Sequence, residues 1–146
     1  MNKTIHPRRT AREAVLQALY ASAMTGEDRA KILKDILSRR SYESNLIKYI
    51  TNLFNSAMDN KEWCENQIKS RLNNWEFERV ALLDRILLIV AISEIYFIEE
   101  VPPKVSISEA IEMAKIYCNE DSSSFVNGVL DNVYKTISNG SKEKNK

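Results

Sequence analysis

Glycine and proline are scarce, with three of each in 146 residues. So few turn formers argue against a sandwich or barrel with many tight turns and favour helices joined by short connections. Gly26, Gly128 and Gly140 stand apart, so neither glycine-rich phosphate-loop pattern, GxGxxG or GxxxxGK followed by Ser or Thr, can be written anywhere. Histidine occurs once, as His6, which limits both catalytic triads and metal sites. Cys64 and Cys118 are far apart, with no CxxC pair and no neighbouring histidine, so zinc and thioredoxin chemistry are unsupported. Both are expected as reduced thiols, acting as small buried or half-buried apolar groups. The longest apolar run, Ile86 to Ile92, has seven residues, where a membrane span needs about 20. No apolar stretch follows the basic start MNKTIHPRR, so a secretory signal is not expected. A soluble, cytoplasmic chain is the expectation, and its length suits one domain that buries about 70% of its unfolded surface.

Net charge is also nearly absent: 21 basic residues stand against 20 acidic ones, a formal +1. The distribution is uneven. Residues 1–12 carry Lys3, Arg8, Arg9 and Arg12 and no acid, and residues 138–146 carry Lys142, Lys144 and Lys146 against Glu143. Between them lie 14 basic and 19 acidic residues, so a mildly acidic body has two basic ends. A basic arm is a common electrostatic footprint for nucleic acid. The end SNGSKEKNK is polar and without apolar anchors and reads as a solubilising tail. The expected organisation is one helical domain over residues 1–138 and a polar, disordered tail over 139–146.

What is plentiful is helical periodicity. Ala11, Ala14, Val15, Ala18 and Leu19 form an amphipathic stripe. Thr10 with Glu13 has capping-box spacing, although Pro7 allows an earlier start. Gly26 closes this helix, and Glu27 and Asp28 suit the positive end of a second, with Ile32, Leu33, Ile36 and Leu37 on its core face. A third carries Leu46, Ile47, Ile50, Leu53, Phe54, Ala57 and Met58; a weaker fourth spans about 61–72 with Cys64, Ile68 and Leu72 and ends at Asn73 and Asn74. The fifth, over 78–98, is apolar on nearly every side and is expected at the centre. Pro102 and Pro103 end it and force an extended link. Ser106 with Glu109 gives a second capping-box spacing before Ile107, Ala110, Ile111 and Ala114. After a polar break at 119–124, Val126, Val129, Leu130, Val133 and Ile137 mark a seventh helix. Gly128 lies within that stripe, where close helix packing is the plainer reading. An all-α fold of seven helices follows.

Two groups of residues invite a functional reading. Arg8 and Arg12 lie four apart with Arg9 beside them, and guanidiniums offer bidentate donors suited to phosphates. Cations at a helix N-terminus oppose its dipole unless an anion neutralises them, whereas anions bind there naturally. Phe125 follows the polar stretch Glu120 to Ser124, where an exposed ring can stack a base, although spacing alone favours burial. Trp63 and Trp75 are assigned to the core or its edge. Catalytic candidates are thin. Glu99 with Glu100 and Glu109 with Glu112 are ordinary surface pairs, and an enzyme is not expected.

Four segments, RRTAREAVLQALY (8–20), NWEFERVALLDRILLIVAISEI (74–95), VSISEAIEMAKIY (105–117) and EDSSSFVNGVLDNVY (120–134), together resemble the NusB transcription antitermination factors. The likeness covers about residues 8–137 in family order, and FVNGVLD is its most specific part. It implies seven helices in two packed three-helix subdomains, no catalysed reaction and no cofactor or metal. It also implies binding to single-stranded boxA RNA of ribosomal transcripts with the small-subunit ribosomal protein NusE, in an RNA polymerase antitermination complex with other Nus factors. Carried over by position, the RNA-binding residues are Arg8, Arg9, Arg12, Asp121, Phe125 and Asn127. The resemblance thus turns Phe125 and Asn127 from core residues into RNA ligands. Thr10 stands where some members have arginine, Ser123 and Ser124 replace a more basic stretch, and Ile89 and Ser93 stand where arginine and tyrosine are frequent. No NusE contacts are assigned, and self-association into a homodimer is left open. Two alternatives remain at this stage: an RNA-binding module working with a separate ribosomal RNA methyltransferase, or a protein interaction module only.

Overall fold

A computed structural model describes residues 7–72 and 77–140. His6, Trp75 and the lysines of 142–146 lie outside the described residues. Within them are seven α-helices and no strand. They are α1 (Pro7–Thr25), α2 (Arg29–Leu37), α3 (Ser44–Asp59), α4 (Lys61–Lys69), α5 (Leu82–Phe97), α6 (Pro103–Tyr117) and α7 (Glu120–Gly140), with a 3-10 turn at Phe77–Arg79 before α5. The packing follows two groups of three: α1, α2 and α3 contact one another, as do α5, α6 and α7, while α4 rests on α3 and α5. The all-α expectation, its seven helices and its two three-helix subdomains are all present. The central position expected of the fifth helix is present too, since α5 also packs on α1 and α3 and buries every residue from Ile86 to Tyr96. One continuous core results.

The local signals explain most boundaries. Gly26 follows α1 with φ +68°, a left-handed conformation that glycine adopts without a steric penalty. Asp28 caps α2 by accepting from the Ala30 and Lys31 amides at 3.1 and 3.4 Å. Only Asn60 separates α3 from α4. Pro102 is extended and Pro103 opens α6, where its missing N–H costs nothing.

Four starts differ from the sequence reading: α5, expected from 78, begins at Leu82 after the 3-10 turn at Phe77–Arg79, and α1, α6 and α7 differ as well. α1 begins at Pro7 and α6 at Pro103, so Thr10 and Ser106 lie inside helices and neither capping box forms. S/T-x-x-E spacing also recurs within helices, and the proline at the first position decides the start. α7 begins at Glu120, capped by Asn119, whose Oδ1 accepts from the Ser122 amide at 2.8 Å. The polar residues 120–124 are therefore its first turn, where acids favour the helix dipole, and not a loop. α7 also continues through Gly140, past the expected start of the tail. Gly128 is solvent-exposed, with nothing within 4 Å of where a Cβ would stand. Its expected close packing is corrected: no neighbour approaches it.

Candidate nucleic-acid interface

The three arginines occupy the first two turns of α1, and that helix start carries no acidic residue of its own. The compensating charge comes from other helices. Arg9 grips Glu109 of α6 through Nε at 2.8 Å and Nη2 at 3.0 Å, with both side chains half-buried. That hydrogen bond, against some loss of hydration and with the added charges of Glu109, Glu112 and Glu13, raises the guanidinium pKa further. Arg8 stacks over the Tyr49 ring of α3 at 4.7 Å, and its Nη2 lies 3.9 Å from Glu100.

Arg12 is different. It is only 3% exposed, and its Nε donates to both oxygens of Glu94, at 2.9 and 3.1 Å. Glu94 is itself 1% exposed, in the middle of α5, and also accepts from the Tyr49 hydroxyl. Burial opposes the charge on Arg12, but the Glu94 hydrogen bond and charge outweigh it, helped by Tyr49 and Glu109, and its pKa is raised. Burial, followed by the charge of Glu94, raises the Tyr49 phenol above its ordinary value. The expected surface clamp of three arginines is corrected accordingly: Arg8 and Arg9 reach the surface, while Arg12 is held beneath them in a buried ion pair.

The second group lies at the other end of α5. Asp121 is exposed and Phe125 half-buried on the first turns of α7. Both line a cleft of about 250 Å3 with Arg79, Val80, Ala81, Asp84, Asn119 and Ser122. Asp84, in the first turn of α5, accepts from the Ser122 hydroxyl at 2.8 Å and so fixes α7 against α5. Phe125 packs one side against the core and turns the other to the cleft, so neither simple burial nor full exposure describes it. Asn127 is exposed on the same helix but does not line this cleft. Asp84 and Glu94 are ten residues apart on one helix, so the two groups sit about 15 Å apart along its axis. The structure brings Arg8 and Arg9 together and Asp121 with Phe125 together, as two separate groups of residues.

Sequence reasoning missed Tyr49, Glu94 and Glu109 around the arginines, and Arg79 and Asn119 at the cleft. One signal was present: a glutamate within a helix apolar on all sides demands a buried cation. The cysteines agree with expectation. Cys64 is buried beside Ser93, with Sγ and Oγ 3.4 Å apart, and burial raises its thiol to about 11; Cys118 is half-buried, and burial followed by Asp84 raises it to about 12. Among the described residues no group of three or more His, Cys, Asp or Glu side chains is placed to hold a metal, and no helix is long and apolar enough to cross a membrane.

The chain can be compared with known proteins on this footing. It is 40% identical over 130 residues to the transcription antitermination protein NusB of Bacillus mycoides and to that of Bacillus cereus, spanning 89% of this chain and 98% of each relative. Among solved structures it resembles T. maritima NusB with a TM-score of 0.82 and 34% identity, over 89% of this chain and 92% of that one. A crystal structure of antitermination factors NusB and NusE in complex with dsRNA shares the fold, with a TM-score of 0.81 and 24% identity over 89% of this chain and 97% of that one. The NusB family pattern matches residues 9–135, which include Arg9, Arg12 and the cleft, and the chain belongs to the NusB family.

Proposed function

We propose that this protein is a transcription antitermination factor that binds boxA RNA of ribosomal transcripts together with the ribosomal protein NusE, within the RNA polymerase antitermination complex. The relatives named for antitermination, 40% identical across nearly their whole length, support the role. The observation that carries an RNA partner is the pair Arg8 and Arg9 at the surface of a helix N-terminus, where guanidinium donors and the helix dipole both favour phosphate. Phe125, with one side open to the cleft, stacks an unpaired base; Asp121 at the cleft and Asn127 on the same helix supply polar contacts that help select it. Arg12 acts as a positioning residue, anchoring the turn that presents its two neighbours. Binding and assembly are the activity, and no reaction is assigned.

The test is titration of a boxA-like single strand and a scrambled strand, with and without NusE. Preference for boxA in at least one condition is expected. Equal binding to both in every condition overturns specific recognition, and absence of RNA binding even beside NusE leaves a protein interaction module.

A further inference from the structure

Inside the arginine cluster two buried polar atoms have no hydrogen-bonding partner among the described residues: Arg12 Nη1 and Ser106 Oγ. Both residues line one small cavity between α1, α5 and α6, with about 10 Å3 of room for the centre of a water-sized sphere. Glu94 lines it too, and apolar side chains of α5 and α6 complete the walls. A charged N–H that has left bulk water without gaining an acceptor is unfavourable. Glu109 Oε1 stands 3.7 Å from Arg12 Nη1, an ion-pair contact beyond hydrogen-bonding reach. Internal waters occupy sites of this size where two to four polar groups converge. We propose that this cavity is a binding site for one internal water molecule. The water accepts from Arg12 Nη1, bonds the Ser106 hydroxyl and donates to the Glu94 carboxylate, which keeps acceptor capacity beyond its bonds to Arg12 and Tyr49. It thereby completes the polar layer that joins α1 to α6 beneath Arg9 and Glu109.

High-resolution crystal structures of the wild type and of Ser106→Val test the site, together with oxygen-17 relaxation dispersion in solution. The wild type should show a full peak within about 2.7 to 3.2 Å of both atoms and one long-lived water in the dispersion, and both should disappear when the valine methyl groups fill the space. A wild-type cavity without density, with Arg12 Nη1 bonded to a protein acceptor, overturns the proposal, and the wild-type measurements decide it even where the variant folds poorly.

A second inference rests on the RNA-binding reading above and on a separate observation, the two-point grip of Glu109 on Arg9. This is the geometry in which a guanidinium holds a phosphate. We infer that Glu109 is a specificity-determining residue that competes with RNA phosphate for Arg9, so that only RNA making further contacts displaces it. Glu109→Gln keeps the shape and removes the charge. It should bind the scrambled strand several-fold more tightly and boxA less so, narrow the ratio between them, and steepen the slope of log affinity against log salt for the scrambled strand by about 0.7, the one phosphate contact that it gains. Glu27→Gln, whose partner is the exposed Lys31 beyond the far end of α1, should change neither ratio nor slope. Wild-type binding with affinity and slope unchanged in Glu109→Gln overturns the competition and leaves the RNA reading standing; loss of RNA binding by both proteins overturns both.

Discussion

Arg9 and Arg12 are three residues apart on one helix and are expected to behave oppositely on substitution. Arg12→Ala leaves the Glu94 carboxylate buried without its cation, and breaking a buried pair from one side costs about 3–5 kcal/mol. Urea denaturation should show that loss. Arg9→Ala, at a half-buried pair, should change stability far less, yet weaken boxA RNA and flatten its salt dependence by about 0.7 in slope. Titrations of boxA and scrambled strands at several salt concentrations check this. The adjacency of the arginines was legible in the sequence, but their division of labour was not, because the partner that buries Arg12 lies 82 residues away. Ser106 and Glu109 illustrate the same limit: their spacing reads as a helix cap, whereas the fold places both in the polar layer around Arg12.

The thiols give a pH-dependent outcome at this scale. Cys64 is raised to about 11 and Cys118 to about 12 from an ordinary 9.0, chiefly by burial. Below pH 9 both are neutral whether folded or unfolded and contribute no difference. Above it the unfolded chain ionises first, so this contribution to stability declines from about pH 9 until the folded thiols ionise near 11 and 12. Urea midpoints across that range should fall more steeply for the wild type than for a Cys64→Ala, Cys118→Ala double variant.

At the scale of single elements, Gly26 and Gly128 differ in sign. Gly26 has φ +68°, so Gly26→Ala should destabilise the chain by about 1–2 kcal/mol, the strain of a Cβ in the left-handed region. Gly128 lies in the interior of α7 with open space around it, so Gly128→Ala should stabilise by about 1 kcal/mol. Thermal or urea unfolding of both variants checks the pair. Helix existence was readable throughout because each element buries a face at helical spacing, as Ile32 and Ile36 do on α2 and Ile50, Leu53, Phe54 and Ala57 on α3. The starts of α1, α6 and α7 were less readable. A start depends on which of several polar residues first satisfies the free amides, and Asn119 wins that competition at α7.

At the scale of the whole molecule, α5 ties the two groups of helices into one core, and its near-total burial is also what made its central place legible. Pieces containing only α1–α3 or only α5–α7 lack the surface that α5 shares with the other side. Unfolding followed by circular dichroism and by fluorescence should therefore give coincident transitions, with Leu88→Ala, at a fully buried position, shifting both by the same free energy of about 2–5 kcal/mol.

The burial of α5 has a further consequence for how fast its backbone trades protons with solvent. Packed on five other helices, it has no exposed flank from which local fraying begins, so its interior amides should exchange deuterium only when the entire chain opens. Those amides are then an internal gauge of global stability, readable in the presence of RNA or a protein partner: whatever binds the folded form more tightly slows them by the same factor that it lowers the unfolded population.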